Sequence, residues 1–292
     1  MLSLAAAAMA GRIALLGLEK NAMKRAGEGR DPVALLFLVG FVGGILILPF
    51  AFREPVGSWS FAPVAALSGL VYFTGITLYV KALSDGEVSL VSPVYSFNVF
   101  FLLLLSVLLL GESLSAWKVA GMVLMVWGSS FLNRSAGWKA SVAALCRDRA
   151  CRTMIAASLL MAVGRIIDAR IVGLLAENPP TLAYAMVQTV FMAGYAYAVL
   201  AWKKGAREGA RLPFELLRER PWSSLGAVAC NVYAYVLLLF ALRGMEVSVA
   251  EPLSMLGTLI SVVLARVMFG EAIRDRLVGA TVMVGGAWLM FL

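Results

Sequence analysis

Two stretches of this chain repeat one another without a gap. Residues 82–112 read ALSDGEVSLVSPVYSFNVFFLLLLSVLLLGE and residues 241–271 read ALRGMEVSVAEPLSMLGTLISVVLARVMFGE. Ala-Leu, Glu-Val-Ser, Pro and Gly-Glu fall at matching places, with Pro93 and Pro252 set 159 positions apart. After one residue of slippage, GMVLMVWG (121–128) matches GATVMVGG (279–286). A long apolar repeat restricts the chain to folds assembled from two like units, each burying its face against the other. Repeats of apolar segments are also how many carriers are built, with a site near the membrane midplane between the units.

Composition puts those units in a membrane. Hydrophobic residues make up 61% and charged residues 14% of the 292 positions, and mean hydropathy is +0.88. Soluble domains carry about 45–50% apolar and about 25% charged residues. The net charge of +8 does not indicate nucleic acid, because the basic residues sit in short loops between apolar runs, where they act as topology signals. Three cysteines (Cys146, Cys151, Cys230) form no CxxC pair, and histidine is absent. That rules out His-based zinc sites, triads and proton relays, so a coupled proton would ride on a carboxylate, a tyrosine or water. No metal site and no cofactor is expected, and coupling to a proton or another ion stays open. The N-terminal MLSLAAAAMAG lacks a basic leader, and its helical run continues past Arg12. It therefore reads as the first membrane helix.

About 20 mostly apolar residues span a bilayer. The sequence predicts an all-α integral membrane protein with ten such spans, near 3–23, 33–52, 62–82, 88–110, 115–133, 153–175, 181–202, 222–242, 247–269 and 274–292. Residues 1–133 form a first five-helix repeat, 134–152 a basic linker loop and 153–292 a second repeat. Pro32, Pro63, Pro179 to Pro180 and Pro221 sit at helix starts, where a missing N–H is harmless. Residues 203–221 form a long polar loop with room for a short amphipathic stretch on the membrane surface. Because five is odd, consecutive units enter the membrane from opposite sides, which makes the repeat inverted. Lys and Arg crowd the odd-numbered loops (Lys20, Lys24, Arg25 and Arg30; Lys81; Arg134 to Arg152; Lys203 to Arg220; Arg274 and Arg276), whereas the other side has only Arg53, Lys118 and Arg243. The charge bias places the odd loops in the cytoplasm and both termini outside a cell membrane, plasma or inner.

These features resemble the drug/metabolite transporter superfamily, in its ten-helix EamA-type branch. The likeness covers nearly the whole chain. It rests on the five-plus-five repeat, Ser92-Pro93 and Glu251-Pro252 opening the fourth helix of each half, Gly111-Glu112 and Gly270-Glu271 closing it, and the Gly121 and Gly279 helices that follow. It implies a central cavity lined by spans 1, 3, 4, 6, 8 and 9, and alternating access. Members usually keep both termini in the cytoplasm, and the charge bias here argues the opposite.

Charges within a span are costly and usually face the bundle interior or water. Arg12 and Arg165 sit mid-span in pseudo-equivalent helices and share the string Gly-Arg-Ile (11–13 and 164–166). Either both face one cavity and grip an anionic group bidentately, or each is neutralised within its own half. In the second case Asp168 would serve Arg165 at a spacing of three, and Glu19 would serve Arg12 at a spacing of seven. Glu251 precedes Pro252, whose ring frees a backbone carbonyl. It is a proton or cation site at a hinge, or a helix-start charge near the interface. Pro93 and Pro252 are the hinge candidates. Tyr72, Tyr95, Asn98, Asn231, Tyr235 and Ser254 complete the expected substrate-binding set with Arg12, Arg165, Asp168 and Glu251. Tyr79 and Tyr233 fit an interfacial belt as readily. Tyr184 and Gln188 fit bonds between helices, and Arg266 a reach for the interface. The glycines, Gly40, Gly43, Gly44, Gly69, Gly75, Gly121, Gly128, Gly279, Gly285 and Gly286, fit close helix packing.

The leading expectation is a secondary active transporter of a small polar or amphipathic metabolite, anionic or zwitterionic, working as a monomer. The alternatives are a flippase for a lipid-linked or lysolipid substrate, and an exporter of amino acids or cationic drugs. No Walker-type loop, GxSxG motif or acid cluster supports an enzyme. The expected partners are the small-molecule substrate and the lipid bilayer, with no nucleic acid.

Overall fold

A computed structural model describes residues 2–54, 56, 58–110, 115–129, 131–132, 143, 145–172, 180–245 and 247–289. The Gly111-Glu112 pair, Pro179 and most of the 134–152 linker lie outside the described residues. All elements described are helices: α1 (Leu2–Gly27), α2 (Pro32–Ala51), α3 (Ala62–Asp85), α4 (Val88–Val94), α5 (Phe97–Leu110), α6 (Ala116–Ser129), α7 (Arg149–Val172), α8 (Thr181–Lys204), α9 (Ala206–Glu219), α10 (Pro221–Leu242), α11 (Val247–Ser254), α12 (Leu256–Phe269) and α13 (Arg274–Leu289). Among the described residues, six stretches are long and apolar enough to cross a membrane: 32–51, 62–85, 88–105, 181–204, 221–242 and 250–269. Large side chains such as Phe41, Ile45, Phe191 and Val263 stay exposed on their outer faces. Such exposure suits a lipid solvent rather than water.

Local chemistry sets the ends. Asp31 caps α2, accepting from the Val33 N–H at 2.9 Å, and Pro32 follows as the first helical residue. Gly270 ends α12 with φ near +69°, a left-handed conformation open to glycine at little cost. The helix predicted at 88–110 is broken at Tyr95 and Ser96, just past Pro93, and its repeat mate is broken at Met255, just past Pro252. Each proline removes an interior hydrogen bond. A donor from another helix takes up the Pro252 carbonyl, Trp288 Nε1 at 3.1 Å.

Packing between the halves is reciprocal. α1 lies on α10 as α7 lies on α3, α1 lies on α12 as α7 lies on α5, and α2 pairs with α8 and α6 with α13. Glycine sets how near several pairs come. A Cβ on Gly286 would fall 2.8 Å from the Gly121 carbonyl, one on Gly279 2.9 Å from the Gly128 carbonyl, and one on Gly40 2.6 Å from the Ala193 nitrogen. Around Gly285 there is open space, so it takes no part in this packing. Gly40→Val is expected to force α2 off α8 and destabilise the protein by about 1–3 kcal/mol. The melting temperature in detergent checks this, with Gly285→Val, expected to be nearly silent, as the comparison.

The polar stretch at 203–221 forms α9, amphipathic as expected. Gly209, Pro213 and Leu216 are buried against α8, α2 and α10, while Arg207 and Arg211 face outward. Trp202 and Trp222 flank it, 85% and 88% exposed.

Candidate functional site

The halves meet at a carboxylate. Glu251 is fully buried on α11, so it is not the interfacial helix-start charge that was one expectation for it. Its Oε1 accepts from Arg165 Nε at 2.6 Å and lies 3.4 Å from Arg12 Nη2. Its Oε2 accepts from Asn98 Nδ2 at 3.1 Å. Arg12 therefore reaches α11 for its counter-charge instead of pairing with Glu19. It is fixed further by donating through Nε to Ser254 Oγ at 2.7 Å and through Nη1 to the Ala234 carbonyl at 2.9 Å. Three acceptors hold one guanidinium, as a planar fork with five donors allows.

Arg165 is held from the other side. Its Nη1 donates to the Tyr72 hydroxyl and lies 3.7 Å from Asp168 Oδ2. Its guanidinium covers the rings of Tyr72 and Tyr235, 5.2 and 6.0 Å from their centroids. Tyr72 comes this close because the neighbouring residue is Gly164, whose absent Cβ would meet the tyrosine Cζ at 2.7 Å. Asp168 accepts from Ser68 (3.0 Å), Tyr72 (2.7 Å) and Tyr184 (2.8 Å), and Gln188 donates in turn to Ser68 at 2.8 Å. Tyr184 and Gln188 thus bond between helices, as expected. The short contact of Arg165 is to Glu251, with Asp168 more distant.

A cavity of about 60 Å³ opens in front of this network. Arg12, Tyr72, Tyr95, Arg165, Asn231 and Tyr235 line it, while Asn98, Asp168, Glu251 and Ser254 stand behind them and hold the arginines and tyrosines. Pro93 and Pro252 are buried outside the lining, each just ahead of a helix break. The space admits a few waters and is well below the roughly 300 Å³ of a small-molecule pocket. The helices must part before a metabolite fits.

Three further lining residues were missed or placed elsewhere by sequence. Lys20, counted there among the loop charges, is 2% exposed, donates to Thr258 Oγ1 at 2.7 Å and stands 5.2 Å from the Tyr95 ring centroid. Helix α1 runs on to Gly27, which leaves Lys20 two turns inside. Glu19 accepts from Asn231 Nδ2 at 2.7 Å and from the Tyr79 hydroxyl at 3.4 Å. Tyr79 is buried and faces the cavity, not an interfacial belt. The available signal was spacing, since Glu19 and Lys20 follow Arg12 by seven and eight positions, two turns along one face.

Toward the Lys/Arg-rich end a second polar cluster ties the halves. Glu271 accepts from Lys24 Nζ (3.0 Å), from the N–H groups of Val88 (3.0 Å) and Ser89 (2.7 Å), and from the Ser89 hydroxyl (2.5 Å). Burial pushes its carboxyl up, but the bonds from Ser89 and Lys24 outweigh this and hold it below the usual carboxylate range. A depressed folded-state value contributes stability that is present above the unfolded value and is lost as pH falls through the folded one. Wild-type protein is therefore expected to lose melting temperature on acidification below the ordinary carboxylate range. Glu271→Gln should start lower and show a flatter profile, measured by thermal unfolding across pH in one detergent. A parallel slope in the two proteins would remove Glu271 from that account.

Residues 4–134 match the EamA-like transporter family. No curated protein matches the chain. One solved structure, described only as the crystal structure of a protein, is similar with a TM-score of 0.63 at 18% identity, over 99% of this chain and 96% of that chain. That likeness concerns the fold. The family match over the first part of the chain and the apolar helices together support a multi-pass membrane protein.

Proposed function

We propose that this chain is a secondary active transporter of the drug/metabolite type, built as ten spans in two inverted five-helix repeats and working by alternating access as a monomer in the cell membrane. The reciprocal packing of α1 on α10 and α7 on α3 supports the inverted arrangement, as do the paired breaks at 95–96 and 255. The substrate is a small polar or amphipathic metabolite carrying an anionic group. One observation carries this reading: Arg12 and Arg165, from the two halves of the chain, line a single small cavity and share one carboxylate, Glu251. Without substrate, Glu251 supplies the counter-charge. An incoming carboxylate or phosphate would compete for the guanidinium groups, and that exchange couples binding to the helix breaks beside Glu251.

The rest of the lining favours a zwitterion over a plain anion. Glu19 and the tyrosines 72, 79, 95 and 235 face the same space, and they suit an amine or an apolar body. An exporter of amino acids or cationic compounds remains the second reading on that ground, and a lipid flippase the third.

Thermal stabilisation of the purified protein by phosphorylated metabolites, zwitterionic amino acids or lipophilic cations tests the assignment, since a ligand bound only to the folded state raises the melting temperature. Stabilisation by an anionic or zwitterionic pool, followed by saturable counterflow of its labelled members in proteoliposomes, is the expected result. Stabilisation by cations alone would transfer the assignment to the second reading. Transbilayer movement of labelled lipid, with no response to any soluble pool, would transfer it to a flippase.

A further inference from the structure

Glu19 differs from the other buried acids of the bundle. Glu251 has two arginines and Asp168 has Arg165. Among the described residues Glu19 takes part in no ion pair, although it is only 3% exposed and faces the cavity. Its two bonds come from neutral donors, Asn231 on α10 and Tyr79 on α3. Lys20, next in sequence, turns instead to Thr258 and the Tyr95 ring. Burying an ionised carboxylate without a cation is expensive, and taking up a proton removes that expense.

We propose that Glu19 is the proton-carrying group of the transporter. This rests on the transporter reading above. The proton adds to a carboxylate oxygen from water on one face of the membrane and leaves to water on the other, and no bond between heavy atoms changes. Glu251 is less suited to the task, because releasing it from two guanidinium groups would strand both. The cations nearest Glu19, Lys20 and Arg12, attract its ionised form without forming an ion pair with it, each being bonded elsewhere. Its own helix brings Lys20 and Arg12, α3 brings Tyr79, the break after α4 brings Tyr95, α10 brings Cys230, Asn231 and Tyr235, and α11 brings Glu251 behind Arg12. The faces of α2 and α12 at this level bring Val39 and Thr258, which do not ionise. Asn231 and Tyr79 can donate to the ionised form and stay in place when the proton arrives, so loading needs no rearrangement of the wall.

Infrared difference spectra of the reconstituted full-length protein, with the proton itself as probe, test this directly. Acidification should produce a carboxylic-acid carbonyl band that is lost in Glu19→Gln. Asn231→Ala keeps the carboxyl and removes its shorter bond, so there the band should persist with a shifted frequency and midpoint. A band that survives unchanged in Glu19→Gln overturns the proposal. If Glu19→Gln fails to fold, a band in Asn231→Ala identical to wild type overturns it instead. A separate arm follows proton flux with an entrapped pH dye during net uptake, down its own gradient, of the labelled pool that stabilises the protein. Flux present in wild type and absent in Glu19→Gln is expected. Wild-type net uptake without proton movement overturns the proton-carrying role, whereas no wild-type uptake or counterflow with any pool overturns the transporter reading, whatever the infrared band does.

Discussion

Replacing Glu251 with alanine is expected to destabilise the protein by about 3–5 kcal/mol, the loss typical when one partner of a buried ion pair is removed. The reason is in the geometry. Arg12 Nη2 and Arg165 Nε lose their shared acceptor and Asn98 loses its own, all of them buried between α1, α5 and α7 where water cannot easily replace the carboxylate. The melting temperature of purified protein should fall sharply, and uptake should vanish with it. A second variant separates charge from shape. Changing Arg12, Arg165 and Glu251 together to apolar residues of similar volume should recover much of the lost stability, since packed apolar groups often equal or exceed a buried ionic network, and should leave transport abolished. A melting temperature unchanged in Glu251→Ala would mean that the arginines find other acceptors, and Glu251 would cease to be the link between the halves.

Arg165→Ala should leave the fold nearer intact, because Glu251 keeps Arg12 and Asn98 and because Asp168 keeps three neutral donors. Its effect falls on ligand binding. Loss of a desolvated charged partner typically costs about 2–5 kcal/mol, so the apparent affinity for an anionic or zwitterionic substrate should weaken by roughly a hundredfold. Arg165→Lys should not rescue it, because a single ammonium cannot reach Glu251, Tyr72 and a ligand together or lie flat across Tyr72 and Tyr235. Counterflow and ligand-induced melting shifts read this out. Transport that survived replacement of Arg165 and Asp168 together by apolar residues would make the arginine a structural element only.

Much of this was legible in the order of residues. The repeat singled out Pro93 and Pro252, and the structure places a helix break just past each. The shared Gly-Arg-Ile pointed to Arg12 and Arg165, which now line one space. Other features were not legible, for physical reasons. Helix periodicity says which residues share a face but not which face meets which neighbour, so the partner considered for Arg12 was Glu19, two turns away on α1, when its partner lies 239 positions along the chain. Lys20 read as a loop charge because composition alone cannot tell a basic residue at a helix end from one two turns inside. Tyr79 fitted an interfacial belt as readily as the cavity for the same reason. Glu271 read as a turn residue, and its reach to Ser89 and Lys24 depends on how α12 and α4 approach, which only packing fixes.

The helix along the surface, α9, has an optical consequence. Trp202 and Trp222 bracket it and are largely exposed, so in a variant that keeps only these two of the seven tryptophans their fluorescence would report the depth at which α9 lies. Quenchers placed at graded positions along lipid tails should dim these two indoles in a narrow band of depth. The same emission, followed while bilayer thickness is varied, would measure how far the protein tilts or the lipid stretches to keep that depth fixed.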